Sequence, residues 1–501
     1  MPRLIVSVTP PTPNGDLHIG HIAGPFLSAD VFTRVQRAKG HDCILVSYSD
    51  DYQSYMHRKE LELGVDRIQI ANENTERIKG TLAALGIEMS HWLSSYENRH
   101  FHGAAAQVYA AAVEAGAVVK RTSCEPWCPS CGTWGYEAFG RGNCNYCGSD
   151  SDASQCEQCA YPPEAALMED FVCKLCGGKF DWPEVEREFL DVERFAGFLS
   201  GLYSSQPIRP PMAEWANEVL ERGPRLWAIT RPGEAGLDLG GNEACRLHTW
   251  FLGLAGYIAA VAEYAEDVVG DGALATAFWA DRDARLVEFL GYDCAYSHMV
   301  VYPSLLSMVP GLSLMPKFYP NQFMKLNGKN LSTSRGHTIW ARDLAVDYDR
   351  DAVRLFLASV SPEERETDFE VAVFQSWYRT VWQGAIDRLI DLARTERRET
   401  GFRSPIGADD TALLDSARRR WKRATDIDSF SMQALAAIVL DLVAMADARA
   451  SRGLPVADLV ETVGELGAAL HPELSQRIKT ALDGAEDDPV PQKRQSTFME
   501  A

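Results

Sequence analysis

Two histidines and eight paired cysteines are the residues whose spacing in this chain points most directly to chemistry. His18-Ile19-Gly20-His21 sets two imidazoles three positions apart, so on a helix both rings project from one face of a turn. Gly20, lacking a Cβ, lets a flat adenine lie against the backbone. At the start of a helix, unpaired N–H groups and the positive dipole end suit a triphosphate. Both rings can then donate to phosphate oxygens as charge develops during attack on the α-phosphorus. Further along, Cys128-Pro129-Ser130-Cys131, Cys144-Asn145-Tyr146-Cys147, Cys156-Glu157-Gln158-Cys159 and Cys173-Lys174-Leu175-Cys176 repeat one spacing four times. A CxxC knuckle presents two thiolates to a tetrahedral ion, and two knuckles close a site. The eight ligands predict two structural Zn2+ ions with no open position for catalysis, and the spacing leaves open which knuckles pair. Cys124 falls outside any pair and reads as a spare thiol.

The surrounding elements must position these groups. Leu4 to Val8 reads as a buried strand, Pro10 to Gly15 as a turn, and about Ile19 to Ala38 as an amphipathic helix ended by Gly40. Cys43 to Ser47 is a second buried strand, which completes a βαβ unit and puts the histidines at a strand-to-helix turn. Helical periodicity is predicted from about Val65 to Ala117. Residues 120–180 change to Cys, Gly and Pro, the texture of an inserted metal module. Alternating α/β texture returns up to Trp340, and helix dominates from Asp347. The chain has 501 residues, 46% hydrophobic and 24% charged, enough for about two to four globular domains. A net charge of −21 argues against coating nucleic acid through an overall field, while leaving room for a local basic groove. DNA and membrane are not expected partners, since no apolar run is long enough to cross a bilayer. The first residues read as a buried strand rather than a signal peptide. Twelve cysteines without an export signal predict a metal framework in the cytoplasm.

The stretch Pro11-Thr12-Pro13-Asn14-Gly15-Asp16-Leu17-His18-Ile19-Gly20-His21 resembles the signature of class I aminoacyl-tRNA synthetases. Ala29-Asp30-Val31, Arg34 and Arg37 to His41 resemble methionyl-tRNA synthetase in particular, and the likeness continues through the cysteine module, Gly291-Tyr292-Asp293, Tyr296-Ser297-His298 and Asn327-Gly328. It extends to Asp351 through Leu357 and to His471-Pro472-Glu473-Leu474, almost the whole chain. The resemblance implies an α/β fold: a Rossmann-type parallel-sheet catalytic domain in two halves, 1–118 and 186–345, split by a zinc-knuckle insertion at 119–185. A helical anticodon-binding-like bundle follows at 346–482, then a disordered tail at 483–501. It implies ATP-dependent formation of an aminoacyl adenylate, with Mg2+ on the ATP, and transfer of the acyl group to tRNA. ATP is assigned to Gly15, His18, Gly20, His21, Gly291, Asp293, Ser332 and Ser334. The amino acid is assigned to Thr9, Pro10, Thr12, Asp51, Trp250, Tyr257 and His298, with Asp51 anchoring the ammonium.

Several positions depart from the family's pattern. Its mobile Lys-Met-Ser-Lys-Ser loop corresponds to Asn330-Leu331-Ser332-Thr333-Ser334, with both lysine positions neutral. Lys329 and Arg335 are the nearest cations and are predicted to compensate, although an ammonium at a shifted register is not equivalent. In the amino-acid pocket an aromatic becomes Thr12, an apolar neighbour becomes Pro10, and Asp51-Tyr52-Gln53-Ser54-Tyr55 imports polar groups. These changes are expected to polarise a pocket meant for a thioether. The residues that read the anticodon in the family fall on Asp391 and Thr395, so tRNA remains a possible partner without matched anticodon readers. Arg418-Arg419-Arg420-Trp421-Lys422-Arg423 is a basic run with one aromatic, more often a solvated helix face than a base-stacking surface. Three functions compete: an aminoacyl-tRNA ligase of altered specificity, a paralogue passing an activated amino acid to a non-tRNA acceptor, and a silent binding module.

Overall fold

The computed structural model describes residues 2–223, 226–239, 245–281, 283–312, 314, 316–331, 336–400 and 408–483. They form two compact units. The first holds the residues up to Asp16, His41–Lys79 and Met89–Pro320, and the second holds Leu17–Gly40, Gly80–Glu88 and the described residues from Asn321 onward.

The first unit is built on a five-stranded sheet. β1 (Arg3–Val8) lies at its centre and pairs in parallel with β2 (Asp42–Ser49) on one side and with the Arg285–Gly291 strand on the other. β3 (His91–Ser94) extends the sheet beyond β2, and Pro316–Asn321 borders Arg285–Gly291 at the opposite edge. Leu4, Ile5, Val6 and Val8 are all buried, a continuous apolar run of the kind parallel sheets covered on both faces require. The Thr249–Glu263 helix is buried nearly all round and packs against β2, β3 and the Arg99–Glu114 helix. All three parallel pairings direct the carboxyl ends of the strands, at Thr9, Asp50 and Gly291, to one edge, where open α/β sheets take their ligands.

One sequence expectation fails here. The predicted helical stretch from Val65 to Ala117 is interrupted by β3 between helices Arg67–Ala84 and Arg99–Glu114. Four residues are too few for alternation to show against flanking helical periodicity. The punctuation is nevertheless present: Gly86 adopts φ 64°, and the Asn98 side chain caps the second helix by accepting from the N–H groups of His100 and Phe101. A second sheet in this unit, Val118–Cys124, Glu184–Asp191 and Leu226–Ala228, is antiparallel and carries the cysteine module between its first two strands.

In the second unit the predicted helix from Ile19 to Ala38 is broken. A single α-turn, Ile19–His21, passes into a wider π turn, Ile22–Phe26, and the regular helix begins at Leu27. Pro25 has no N–H to donate, and Gly24 departs from helical geometry at φ −82°, ψ −107°. The remainder is helical apart from a small sheet of Met324–Leu326 with Lys329–Asn330 and Thr367–Phe369. Arg354 is wholly buried there, donating to Asp30 Oδ2 at 2.7 Å and to the carbonyls of Leu470, Ala469, Leu85 and Gly86. A guanidinium with every direction matched is the form in which a buried charge is tolerated. Residues 484–501, most of the expected disordered tail, lie outside the described residues.

Candidate active site

In the second unit His18 and His21 cap the α-turn reciprocally. His18 Nδ1 accepts from the Gly20 N–H at 3.1 Å, and the His18 N–H donates to His21 Nδ1 at 3.2 Å. The rings stack at 3.7 Å with 21° between their planes. With both Nδ1 atoms accepting, each neutral ring carries its proton on Nε2. Burial pushes His21 down to about 4 and, with the neighbouring imidazole, holds His18 well below the ordinary histidine value. At neutral pH the motif is therefore a pair of uncharged donors, fixed before any phosphate arrives. The segment after Gly336 straps it down: Ile19 N–H donates to Ile339 O at 3.1 Å and Ala341 N–H to Leu17 O at 3.0 Å. A Cβ on Gly20 would stand 2.9 Å from Leu331 and 3.0 Å from the His18 ring, so only glycine leaves this surface open. Lys329 is exposed, whereas Ser332, Thr333, Ser334 and Arg335 lie outside the described residues.

In the first unit Asp51 follows the end of β2 and is 2% exposed. Its Oδ2 accepts from Ser49 Oγ at 3.0 Å, Ser95 N–H at 2.8 Å, Ser95 Oγ at 2.9 Å and Tyr96 N–H at 3.2 Å. Its Oδ1 is buried and has no partner among the described residues. Burial outweighs these donors and raises the carboxyl to about 6. Neighbouring Asp50 is also raised to about 6 by burial, but both its oxygens are used, by Thr249 Oγ1 and by Gln53 Nε2. The loops after β1 and β2 are tied together, since Asp50 N–H donates to Pro11 O at 3.1 Å. Thr9 is spent on the backbone, with both N–H and Oγ1 reaching Phe289 O, and Thr12 O accepts from Asn14 N–H. Pro10, Thr12 and Gly15 are half-buried.

The side-chain wall gathers on two helical segments. Tyr257 Oη lies 2.9 Å from His298 Nε2, and His298 Nδ1 lies 3.1 Å from Cys294 O. Donation from Nδ1 to that carbonyl makes Nε2 the acceptor, so the tyrosine hydroxyl points its proton at the ring. Burial lowers His298 to about 4 and keeps it neutral. Gly253 and Gly256 make room for the Tyr302 hydroxyl and the Tyr48 ring, which a Cβ at either position would overlap. Trp250 is half-buried, and its indole Nε1 is buried without a partner among the described residues. It shares a small cavity with Gln155, Asp293, Tyr296 and Ser297. Asp293 accepts from Gln155 Nε2 at 3.0 Å, a contact from the cysteine module that spacing did not suggest. Gly291 adjoins it, and a Cβ there would stand 2.8 Å from Asp293 Oδ1.

Two of the imported polar residues have partners within the unit. Tyr52 Oη pairs with His102 Nε2 at 3.0 Å while its ring stacks on Phe101, and Tyr55 Oη donates to Asp152. Their hydroxyls are satisfied by residues far along the chain, which a reading by local register cannot see. Gln53 does remain partly orphaned, with Oε1 buried and unpaired among the described residues. Sequence reading also missed Asp50, Ser95 and Glu288. The last of these is a carboxyl inside a central strand, whose only signal is an acid interrupting an apolar run.

The cysteines form two all-thiolate clusters, Cys128, Cys131, Cys173 and Cys176, and Cys144, Cys147, Cys156 and Cys159. The knuckles are thus nested, the first with the fourth and the second with the third. Sulfur–sulfur separations of 3.6 and 3.9 Å in one cluster and 3.8 and 3.7 Å in the other fit a metal tetrahedron. With Zn–S arms of about 2.3 Å its edges are about 3.8 Å. Cys124 is an exposed thiol outside both clusters. On the helical side, Asp391 and Thr395 are exposed, and Thr395 Oγ1 turns back to Asp391 O at 2.9 Å. Within the basic run, Arg418 pairs with Glu465 at 3.0 Å and Arg420 with Asp441 at 2.9 Å.

Comparison with known proteins agrees with this geometry. The family model for tRNA synthetases class I (M) matches residues 4–393. A methionine–tRNA ligase of Cutibacterium acnes is 28% identical over 445 residues, covering 83% of this chain and 73% of its own length. One from Dehalococcoides mccartyi is 29% identical over 371 residues, covering 73% and 66%. The solved Mycobacterium tuberculosis methionyl-tRNA synthetase in complex with methionyl-adenylate superposes with a TM-score of 0.74, at 17% identity over 99% of this chain and 96% of that one. No described helix is long and apolar enough to cross a membrane. The fold, the histidine turn and a match spanning most of the sequence agree: the chain belongs to the class I tRNA synthetases of the methionyl type, ATP-using ligases.

Proposed function

We infer that this protein activates an amino acid other than methionine as its adenylate and passes the acyl group to an acceptor. The amino-acid carboxylate attacks the α-phosphorus of ATP, the bond to the bridging oxygen breaks, and pyrophosphate leaves with the electron pair. His18 and His21 donate through Nε2 to the phosphate oxygens as charge develops. By the family's pattern the adenine is assigned to Gly20, the phosphates to Gly15, Ser332 and Ser334, and the ribose to Gly291 and Asp293. Mg2+ accompanies the phosphates. Lys329 and Arg335 supply the cations absent at Asn330 and Thr333. Asp51 holds the substrate ammonium, and Pro10, Thr12, Trp250, Tyr257 and His298 surround the side chain. In the second step an acceptor hydroxyl or amine attacks the acyl carbon and AMP leaves.

The observation that carries this reading is Asp51, one of whose oxygens is saturated by four donors while the other is buried and unpaired. A carboxylate oriented on one side and vacant on the other suits a single cationic ligand. Amino-acid-dependent exchange of pyrophosphate into ATP tests it. A polar amino acid should exchange at least tenfold faster than methionine, and His18→Ala with His21→Ala should abolish exchange while leaving the circular-dichroism spectrum of the folded chain intact. Methionine as the best substrate would restore the housekeeping reading.

A non-tRNA acceptor is a second reading, favoured by Asp391 and Thr395 in place of anticodon readers and by the ion pairs that neutralise Arg418 and Arg420. Attachment of the activated amino acid to total tRNA separates the two. Stable charging removes the second reading, and exchange without charging supports it.

A further inference from the structure

Glu288 lies in the Arg285–Gly291 strand at 1% exposure, and neither of its carboxyl oxygens has a hydrogen-bond partner among the described residues. Few positions in a parallel sheet are less hospitable to an acid, because the strand is covered on both faces. Its register defines where it points. Glu288 pairs with Ser7 of β1, and Ser7 pairs with Val46 of β2. Side chains alternate along strands, so Glu288 shares its face with Leu286 and Leu290, and Val46 shares its face with Tyr48. Those neighbours belong to the same buried cluster as Tyr257 and Tyr302, which places Glu288 on the face packed against the Thr249–Glu263 helix. Ser7 Oγ, directly beside it, is also buried and unpaired.

The same face carries the wall of the amino-acid pocket. Tyr257 Oη lies 3.4 Å from Val8 O, one residue beyond Ser7, and 2.9 Å from His298 Nε2. The Glu288 carboxyl adds to the upward push that burial exerts on the hydroxyls of Tyr257 and Tyr302. An ordinary thioether gives such a carboxyl nothing to bond. The burial that raises Glu288 to about 8 keeps it protonated while the site is empty, and an approaching cation would draw the proton off.

We propose that Glu288 is the specificity-determining residue at the far end of the amino-acid pocket, and that the substrate is an amino acid whose long side chain ends in a protonated amine. The proposal rests on the reading of Asp51 as the ammonium anchor and adds a second carboxyl for the second nitrogen. Glu288 lies two strands from β2 and Asp51 follows the end of β2, so the two carboxyls are separated both across and along the sheet, which calls for a long side chain.

Exchange of pyrophosphate into ATP by the full chain is to be measured with L-lysine, L-ornithine, L-methionine and L-norleucine, the last being lysine without its terminal amine. Lysine or ornithine should exceed norleucine at least tenfold, and Glu288→Gln should cut that ratio at least tenfold, mainly through KM. Glu288→Met, of similar volume with no hydrogen-bonding group that can take an amine, carries the same expectation should the glutamine variant fail to fold. Norleucine or methionine leading in the unmodified protein, or a ratio unmoved by either substitution, overturns the assignment while leaving amino-acid activation standing. Absence of exchange with every amino acid refutes activation instead, and calorimetric titration of L-lysine into the full chain then decides on Glu288. Binding at least tenfold weaker in the glutamine variant upholds it, and equal or absent binding overturns it.

Discussion

The cysteine module and the amino-acid pocket belong to the same unit and treat their polar atoms in opposite ways. In the module all eight knuckle sulfurs fall into two clusters whose spacings match a metal tetrahedron. The knuckle turns repeat one geometry, in which the residue after the second cysteine has positive φ: Gly132, Gly148, Gly177 and, at some cost for a residue with a Cβ, Ala160. In the pocket, Asp51 Oδ1, Gln53 Oε1, Trp250 Nε1, Ser7 Oγ and both Glu288 oxygens are buried with no partner among the described residues. Buried polar groups in folded proteins are nearly always paired. Thr133 Oγ1 and Tyr161 Oη of the module are likewise buried without a partner among the described residues, so the contrast lies between sulfurs matched to one another and a group of unmatched oxygens and nitrogens.

The comparison breaks most decisively at the metal. Purified protein should contain about two zinc ions per chain, each held by sulfur alone, as metal analysis and X-ray absorption would show. Zinc bound by thiolate clusters contributes on the order of 10 kcal/mol to the folding of small modules. Chelation, or Cys144→Ser, should therefore melt residues 125–183 well before the rest of the unit. Zinc-free protein that keeps the same hydrogen-exchange protection in this segment would show that the clusters are structural without metal.

A smaller effect is expected where the pocket's account is open. Asp51→Asn should weaken amino-acid binding by about 2–4 kcal/mol, a loss of roughly 30- to 1000-fold, because a charged partner is removed from a dry site. The pH dependence has a definite sign. Asp51 titrates at about 6, and only its ionised form pairs with an ammonium. The KM for L-norleucine, which has no second amine for Glu288, should therefore rise as pH falls through 6 and stay flat above about 7, with the KM for ATP unaffected by this group. An amino-acid KM that holds constant from pH 5 to 8 would remove Asp51 from the anchor role.

The two regions also differ in how much of each was legible in the sequence. A CxxC turn makes its own geometry from four consecutive residues, and His18 and His21 cap one another across a single turn, so both motifs stood out from their neighbours. Which knuckle pairs with which depends on how the chain folds back between Cys131 and Cys173, and spacing held no information about it. The pocket draws on Asp51, Ser95, Tyr257, Glu288 and His298, brought together only by the parallel register of strands. Register places Glu288 beside Ser7, 281 positions away in the chain. The partners of Tyr52 and Tyr55, His102 and Asp152, were hidden for the same reason, being distant in sequence. β3 was hidden by its brevity, and the break at Gly24 and Pro25 by an amphipathic pattern that ran through it.

The sharpest test reads an unpaired buried carboxyl as a stability cost without any substrate. Glu288 is raised to about 8 by burial; its charge acts on Tyr257 from the long helix and Tyr302 from the segment after Gly291, and these two in turn feel Cys294. All three are neutral through the relevant range, because burial pushes each of them well above its ordinary value. In the unfolded chain Glu288 ionises near the ordinary glutamate value of about 4.3, whereas in the folded chain it holds its proton up to about 8. Between these limits the unfolded state binds fewer protons than the folded one, so stability falls as pH rises, and above about 8 the penalty is constant. Glutamine does not titrate and lacks this slope. Glu288→Gln should thus gain on the unmodified protein by about 4 kcal/mol between pH 4.5 and pH 8, whatever constant offset the buried amide's own unmet hydrogen bonds add at both. Denaturant melts at the two pH values measure the difference directly. A stability difference that is the same at both pH values would mean that Glu288 is paired in solution, and the pocket would lose its deepest unpaired group.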